Sequence, residues 1–140
     1  MLRGWTTAQI PLDARYYDIG AIKLDCDVGQ RTGWLGVEAL SDDGMGVKTT
    51  VQGYAADLVP PGRQWVSEDE LRVLWELKGF YQNDTYGGTS GAAVTASDRR
   101  ETIIGVHTNG LHGEAPWSTN NAFTRITPER LAIIQGWINE

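Results

Sequence analysis

The residues best suited to chemistry in this chain lie in one glycine-rich stretch that contains a single serine. Residues 84–94 read DTYGGTSGAAV, so Ser90 sits among glycines just before an apolar, strand-like run. A serine that attacks a carbonyl needs backbone N–H groups aimed at the developing oxyanion, and side chains beside those amides would obstruct the substrate. The stretch therefore fits a nucleophile loop. Taken alone it also fits a glycine-rich hairpin turn, because a short motif is a hypothesis until its context agrees.

Other chemistries find little support in the residue types. The chain has one cysteine and two histidines, His107 and His112, and their spacing does not form a zinc signature. The glycine-rich stretch also lacks the lysine of a phosphate-binding loop. We therefore expect no cofactor and no metal. The run that contains His107 also suits a hydrogen-bonded core histidine, and His112 is expected to be an exposed residue of a glycine-rich loop.

Several segments together resemble the chymotrypsin-like serine peptidases, and within them the glutamyl endopeptidase branch typified by staphylococcal V8 protease. The resemblance covers nearly the whole chain and keeps the family order in which the catalytic aspartate precedes the serine. It implies an all-β fold of two β-barrels with the active site between them. The segments that carry it are YYDIGAIKL (16–24), QGYAAD (52–57), QW (64–65), the serine stretch (84–94) and TIIGVHTNG (102–110).

This resemblance implies a chymotrypsin-like double β-barrel whose first barrel is truncated in this chain. Residues 1–36 are expected to be the remnant of the first barrel and the linker, residues 37–126 a complete six-stranded antiparallel barrel, and residues 127–140 a short C-terminal α-helix. Thr127 suits the helix cap and Pro128 the first helical position. Turn signals separate the predicted strands, which are Ile19 to Leu24, Lys48 to Tyr54, Arg63 to Glu68, Leu71 to Glu76, Phe80 to Gln82, Ala92 to Thr95, Thr102 to His107 and Ala122 to Arg125.

The resemblance also implies roles for individual residues. Ser90 matches the acyl-forming nucleophile, and the backbone N–H groups of Gly88 and Ser90 match the oxyanion hole. Asp18 matches the aspartate that orients the catalytic histidine. Asp25 and Asp27 compete for that role, but each follows the apolar run that the family's aspartate precedes.

The glutamyl branch binds the acidic P1 side chain of its substrate with a threonine and a histidine, which match Thr85 and His107. A buried carboxylate needs strong hydrogen-bond donors, and a hydroxyl and an imidazole can supply them. The chain departs from the family at Thr89, where Asn or Asp is common, so a trypsin-type activation switch has no aspartate here. The family's mature N-terminal amine, which helps receive the substrate carboxylate, also has no counterpart, so the preference for glutamate is supported only in part.

The family's catalytic histidine has no match, because both histidines follow Ser90 and only seventeen residues precede Asp18. We therefore expect this chain to be the C-terminal portion of such a peptidase, nearly inactive without a histidine from an upstream chain or segment. The alternative is a catalytically inactive fragment that acts as a binding partner. A broken first barrel would expose strand edges and apolar surface, which predicts a partner chain or self-association.

Composition bounds the location and the partners. A net charge of −6 without any basic run argues against nucleic acid or an anionic membrane as the partner. The resemblance to the serine peptidases implies a polypeptide substrate. No stretch is long and apolar enough for a membrane span, and the first residues lack the apolar core of a signal peptide. The resembled peptidases are secreted, so we expect an extracellular location. Cys26 is then either a small buried residue, a free thiol or half of a disulfide with a missing portion.

Overall fold

The computed structural model describes residues 14–139. Eight strands form one sheet, and a 3-10 helix (Arg15–Tyr17) and a four-residue α-helix, α1 (Gly29–Thr32), precede it. A longer helix, α2 (Pro128–Asn139), ends the described chain. The strands are β1 (Gly36–Val37), β2 (Lys48–Gly53), β3 (Trp65–Glu70), β4 (Val73–Leu74), β5 (Lys78–Tyr81), β6 (Ala93–Ala96), β7 (Arg99–Asn109) and β8 (Asn121–Arg125).

The sheet is antiparallel and curls back on itself. Its strand order is β3-β2-β6-β7-β8-β5-β4, and β1 pairs in parallel with β7 beside this path. The two edge strands, β3 and β4, are separated by only two residues, so the path must curve to bring its ends together. Six strands have four or more residues, and each of them overlaps one of the seven strands predicted between residues 48 and 125. The all-β prediction with a C-terminal helix is confirmed.

The interior of the curl is a single apolar core. Its centre is the ring of Phe123 on β8, which lies between two backbone positions without side chains, Gly79 on β5 and Gly105 on β7. A Cβ atom at either glycine would come within 2.2 Å of the ring, so only glycine fits there. The buried cluster comprises Leu40, Val51, Leu71, Tyr81, Val94, Ala96, Ile104 and Phe123.

The C-terminal helix begins as its sequence predicts. Pro128 is its first residue, and the Thr127 hydroxyl accepts a hydrogen bond from the backbone N–H of Arg130 at 3.3 Å. The buried guanidinium of Arg130 donates to the carbonyls of Leu77 (3.0 Å), Arg125 (2.7 Å) and Tyr16. This one side chain therefore joins the helix, the barrel and the 3-10 helix.

The predicted strand from Ile19 to Leu24 is wrong. Residues 18–24 have no regular structure, and Ile22 and Leu24 are 89% and 58% exposed. A strand needs a neighbour to pair with, and no strand among residues 14–139 lies beside this segment. The remaining predicted strands overlap observed ones, whereas β1 was not predicted because two residues carry no pattern. The part of the predicted first unit before residue 14 lies outside the described residues.

Within the described part of the chain, no helix has the length and apolar character needed to cross a membrane. Cys26 is exposed, so the buried alternative for this cysteine is wrong.

Candidate active site

Ser90 is held at the surface by a tight loop between β5 and β6. The loop turns at Gly88 and Gly91, whose φ angles of 101° and 89° lie in the region that favours glycine. A Cβ atom on Gly88 would also lie 2.6 Å from the carbonyl oxygen of Tyr54, so close approach adds to the conformational demand. Thr89 is buried between them, and its methyl group faces Gly53 on β2. The loop therefore exposes Ser90 on a rigid base.

The backbone amides of this loop divide into two sets. The N–H of Thr89 donates to the carbonyl of Tyr86 at 3.0 Å, and the N–H of Gly91 donates to the carbonyl of His107 at 2.9 Å. No acceptor within residues 14–139 takes the N–H of Gly88 or Ser90. Among residues 14–139, the amides on either side of Thr89 therefore remain without an acceptor.

A cavity of about 720 Å³ opens beside Ser90. This is the size of a typical small-ligand site, about 300–1,000 Å³. Three of the predicted site residues, Ser90, Thr85 and His107, line it together. The other lining residues are Gln82, Asn83, Asp84, Tyr86, Gly87, Gly110, Leu111, Thr119 and Asn121.

His107 is buried, with only 3% of its surface exposed. Its Nδ1 atom lies 2.8 Å from the hydroxyl of Tyr81, and the two rings stack with centroids 6.0 Å apart. Burial, with a smaller contribution from the charge of Lys78, lowers the pKa of His107 to about 4, so the imidazole is neutral at pH 7. If the Tyr81 hydroxyl donates to Nδ1, the ring proton resides on Nε2. The histidine is thus both a core residue and part of the cavity wall.

Lys78 is a buried charge that the sequence analysis missed. Its ammonium donates to Thr108 Oγ1 (2.8 Å), Asn109 Oδ1 (2.9 Å) and Thr124 Oγ1 (3.1 Å). Burial lowers the pKa of Lys78 to about 7, and the nearby charge of Asp18 acts in the opposite direction. A lysine within the otherwise apolar strand KGFY was the available signal, since a buried lysine needs such partners.

Asp18 lies apart from the cavity. It follows the 3-10 helix, is half-buried, and does not line the Ser90 cavity. Burial raises the pKa of Asp18, and the charge of Lys78 partly opposes that rise. The structure therefore brings Ser90, Thr85 and His107 together and places Asp18 near Lys78.

His112 differs from its predicted exposed position, because its ring packs 4.8 Å from the ring of Trp117. Its Nδ1 atom lies 2.8 Å from the carbonyl oxygen of Gly110, and its buried Nε2 has no hydrogen-bond partner in the described part of the chain. Among residues 14–139, neither histidine is hydrogen-bonded to Ser90. Asp84 is a second residue that the sequence analysis missed, and within residues 14–139 it is the one acidic residue that lines the cavity.

No group of three or more His, Cys, Asp or Glu side chains between residues 14 and 139 is arranged to hold a metal ion.

Comparisons with known proteins identify relatives of this chain. No family model matches the chain. An extracellular metalloprotease of Bacillus subtilis is 34% identical over 142 residues, which cover 99% of this chain and 42% of that protein. A glutamyl endopeptidase of Bacillus licheniformis is 33% identical over 129 residues, which cover 88% of this chain and 40% of that protein. The chain thus spans about two fifths of the length of these curated relatives.

Solved structures share the fold. A Glu endopeptidase in complex with MPD superimposes with a TM-score of 0.71 at 20% identity, covering 83% of this chain and 52% of its own. An inactivated protease paralogue of the scabies mite reaches 0.58 at 14% identity, covering 76% and 52%. The HtrA-type protease AlgW with a decapeptide reaches 0.54 at 16% identity, covering 76% and 33%. With its relatives and its curled barrel taken together, the chain belongs to the chymotrypsin-like serine peptidases and corresponds to their C-terminal portion.

Proposed function

We propose that this chain supplies the nucleophile and the substrate-binding wall of a serine endopeptidase that cleaves polypeptides after an acidic residue, Glu or Asp. The observation that carries the proposal is the pair of amides around Ser90 that no acceptor within residues 14–139 takes, next to a cavity that His107 and Thr85 line. The glutamyl endopeptidase relative supports the choice of an acidic P1 side chain. An extracellular location is part of the same proposal, since one relative is itself named as extracellular.

In the proposed reaction, Ser90 Oγ attacks the scissile carbonyl while a histidine base takes the hydroxyl proton. The carbonyl oxygen gains negative charge, which the N–H groups of Gly88 and Ser90 receive. The base then returns the proton to the leaving amine, and water releases the acyl group from Ser90 by the reverse sequence. Losing one oxyanion donor typically costs about 10²–10³ in rate.

In this proposal the base is neither of the two histidines, because neither is hydrogen-bonded to Ser90 among residues 14–139. The low pKa of His107, about 4, also makes its neutral imidazole a weak proton acceptor at neutral pH. We propose that an upstream chain or segment brings the histidine, and that Asp18 orients it by accepting a hydrogen bond from its other ring nitrogen. The carboxylate of Asp18 is available for this role, since no side-chain or backbone donor within residues 14–139 bonds to it.

The proposed P1 site places an acidic side chain against His107 Nε2 and the hydroxyl of Thr85. A neutral imidazole with its proton on Nε2 donates to a carboxylate, and the arriving negative charge would raise the pKa of the ring. Asp84 works against this preference, because its own carboxylate lines the same cavity. Selection of an acidic P1 residue therefore depends on two donors that outweigh one like charge.

A catalytically inactive binding partner is the second candidate. It is favoured by the absence of a histidine bonded to Ser90 among the described residues, and by the structural similarity to an inactivated protease paralogue. In that case the cavity would hold a polypeptide without cleaving it.

Labelling of Ser90 by a fluorophosphonate separates the two candidates. The purified chain is incubated with the probe alone and with the adjoining upstream polypeptide, and mass spectrometry follows the modified serine. We expect labelling of Ser90 only with the upstream polypeptide present, because an unactivated serine is a weak nucleophile.

Two variants control that experiment. Ser90→Ala should abolish labelling, and Gly88→Ala should reduce it strongly, because the new Cβ would meet the Tyr54 carbonyl and turn the amide away. If folded samples remain unlabelled in both conditions, the peptidase proposal is abandoned in favour of binding.

A further inference from the structure

We propose that a second cavity, separated from the Ser90 cavity by Thr85 and Tyr86, is a subsite for a basic side chain, Lys or Arg, of the polypeptide substrate. The proposal rests on the proposed function for its polypeptide, but its binding chemistry is independent of catalysis. Thr85, Tyr86 and Asp84 line both cavities, so they form a common wall. A single extended polypeptide can therefore place one side chain on each side of that wall.

The second cavity has the size of a single side chain. Its volume is about 220 Å³. This is below the roughly 300 Å³ at which pockets begin to take whole small ligands. Much of its wall is apolar, formed by Val51, Ala55, Leu58, Trp65 and Val66. It therefore suits a long hydrocarbon stem.

Two exposed acidic residues lie in the wall of this apolar slot. Asp57 and Asp84 belong to its lining, and no lysine, arginine or histidine among residues 14–139 does. Within residues 14–139 neither carboxylate forms an ion pair, whereas Asp42 and Asp69 elsewhere on the barrel do. An apolar stem with a cationic head is the group that matches apolar walls and unpaired negative charge, and Lys and Arg have that form.

The carboxylate of Asp84 is attached to a fixed backbone. The N–H of Asp84 donates to Ser67 Oγ at 2.7 Å, and the buried amide of Asn83 donates to the Ser67 carbonyl at 2.7 Å. Asn83 also accepts a hydrogen bond from Thr49 Oγ1 at 2.9 Å. These bonds tie the start of the common wall to β2 and β3, so little ordering is needed when a ligand binds.

A cation in the second cavity would also help the first. Asp84 faces both, and its negative charge disfavours an acidic side chain beside His107. A basic side chain next to Asp84 offsets that charge and so removes the repulsion. The two subsites are then coupled, and the preferred substrate has an acidic residue at P1 and a basic residue near it in the same polypeptide.

NMR binding experiments on the chain test the subsite directly. The probes are n-butylammonium and ethylguanidinium, compared with 1-butanol and butyrate as neutral and anionic controls of similar length. We expect saturable shifts of the amides of Asp57, Leu58 and Val66 with both cations. Asp57→Asn should weaken that binding about two- to fivefold, the range for removal of one exposed charge partner. Asp25→Asn, at an exposed carboxylate far along the chain from either cavity, should leave it unchanged.

Three results would overturn the proposal. Equal binding of 1-butanol would make the cavity an apolar slot without charge selection. Cation shifts spread evenly over the acidic surface would reflect only the net charge of −6. No saturable shift at all would mean that the cavity does not bind cations.

The same measurement separates this proposal from the peptidase proposal. Ser90→Ala should bind n-butylammonium as the parent chain does, since the second cavity contains no atom of Ser90. If the chain fails to bind cations but Ser90 is still labelled by the fluorophosphonate, only the subsite proposal is contradicted. If the chain binds cations but Ser90 is not labelled, only the peptidase proposal is contradicted.

Discussion

The barrel and the segment before it differ in how far their own residues form a buried core and paired strands. From residue 36 onward the chain buries a continuous core and pairs its strands into one curled sheet. Between residues 14 and 35, Ile19 is the only buried residue and no strand forms. The loop that carries Ser90 therefore stands on a scaffold with its own core, whereas the segment that carries Asp18 has almost no core of its own.

That segment packs on the barrel near its beginning and rejoins the sheet at β1. The ring of Tyr16 lies 6.5 Å from the rings of both Trp75 and Trp117, and the Tyr16 carbonyl accepts a hydrogen bond from Arg130. Residues 20–28 have no such contacts and are exposed throughout. The difference shows that Asp18 sits at the boundary between a packed and an unpacked part of the chain.

The largest effect should come from the centre of the barrel. Phe123→Ala removes the ring between Gly79 and Gly105 and leaves a cavity, so we expect a loss of about 3–5 kcal/mol in the free energy of unfolding. Ile22→Ala, in the exposed segment, should change it by less than about 0.5 kcal/mol. Urea denaturation of both variants measures the contrast. Similar losses in the two variants would mean that the segment is packed as the barrel is.

An intermediate effect should appear in the pH dependence of stability. The pKa of His107 is lowered from 6.5 to about 4. Between these two pH values the unfolded chain therefore binds a proton at this histidine that the folded chain does not bind. Stability should therefore be full above pH 6.5 and fall as the pH drops towards 4, by roughly 3 kcal/mol from this group. Urea denaturation at several pH values measures the slope.

His107→Gln should remove most of that slope, whatever its effect on stability at pH 7. His112→Gln is the matched control, because it removes the other histidine of the chain, whose ring packs against Trp117. Retention of the full slope in His107→Gln would show that another group is responsible.

The smallest effect should come from the helix cap. Thr127→Ala removes the acceptor for the Arg130 N–H, at a cost of about 1 kcal/mol. The short α1 has no side-chain cap, so Gln30→Ala in that helix should be nearly neutral. Thermal unfolding followed by circular dichroism compares the two. If Thr127→Ala leaves the stability unchanged, α2 would resemble the exposed segment before the barrel and not the packed barrel.

Much of the barrel could be predicted because its strands carry their own signals. The positions of β2, β3, β5 to β8 and the cap at Thr127 follow from apolar runs, turn residues and a Thr-Pro pair. The glycines around Ser90 likewise indicate a loop with positive φ angles. The failed strand at Ile19 to Leu24 has a good apolar pattern too, but a pattern alone supplies no pairing partner.

The sequence by itself determined that the barrel forms and that Ser90 stands on a glycine loop, because hydrophobic alternation and positive φ angles are local properties. The tertiary structure alone decided that Asp84 faces two cavities, that Lys78 is buried among three acceptors, and that Asp18 lies outside the Ser90 cavity. These depend on residues far apart in the chain, whose proximity is set by how the curled sheet closes and not by any local preference.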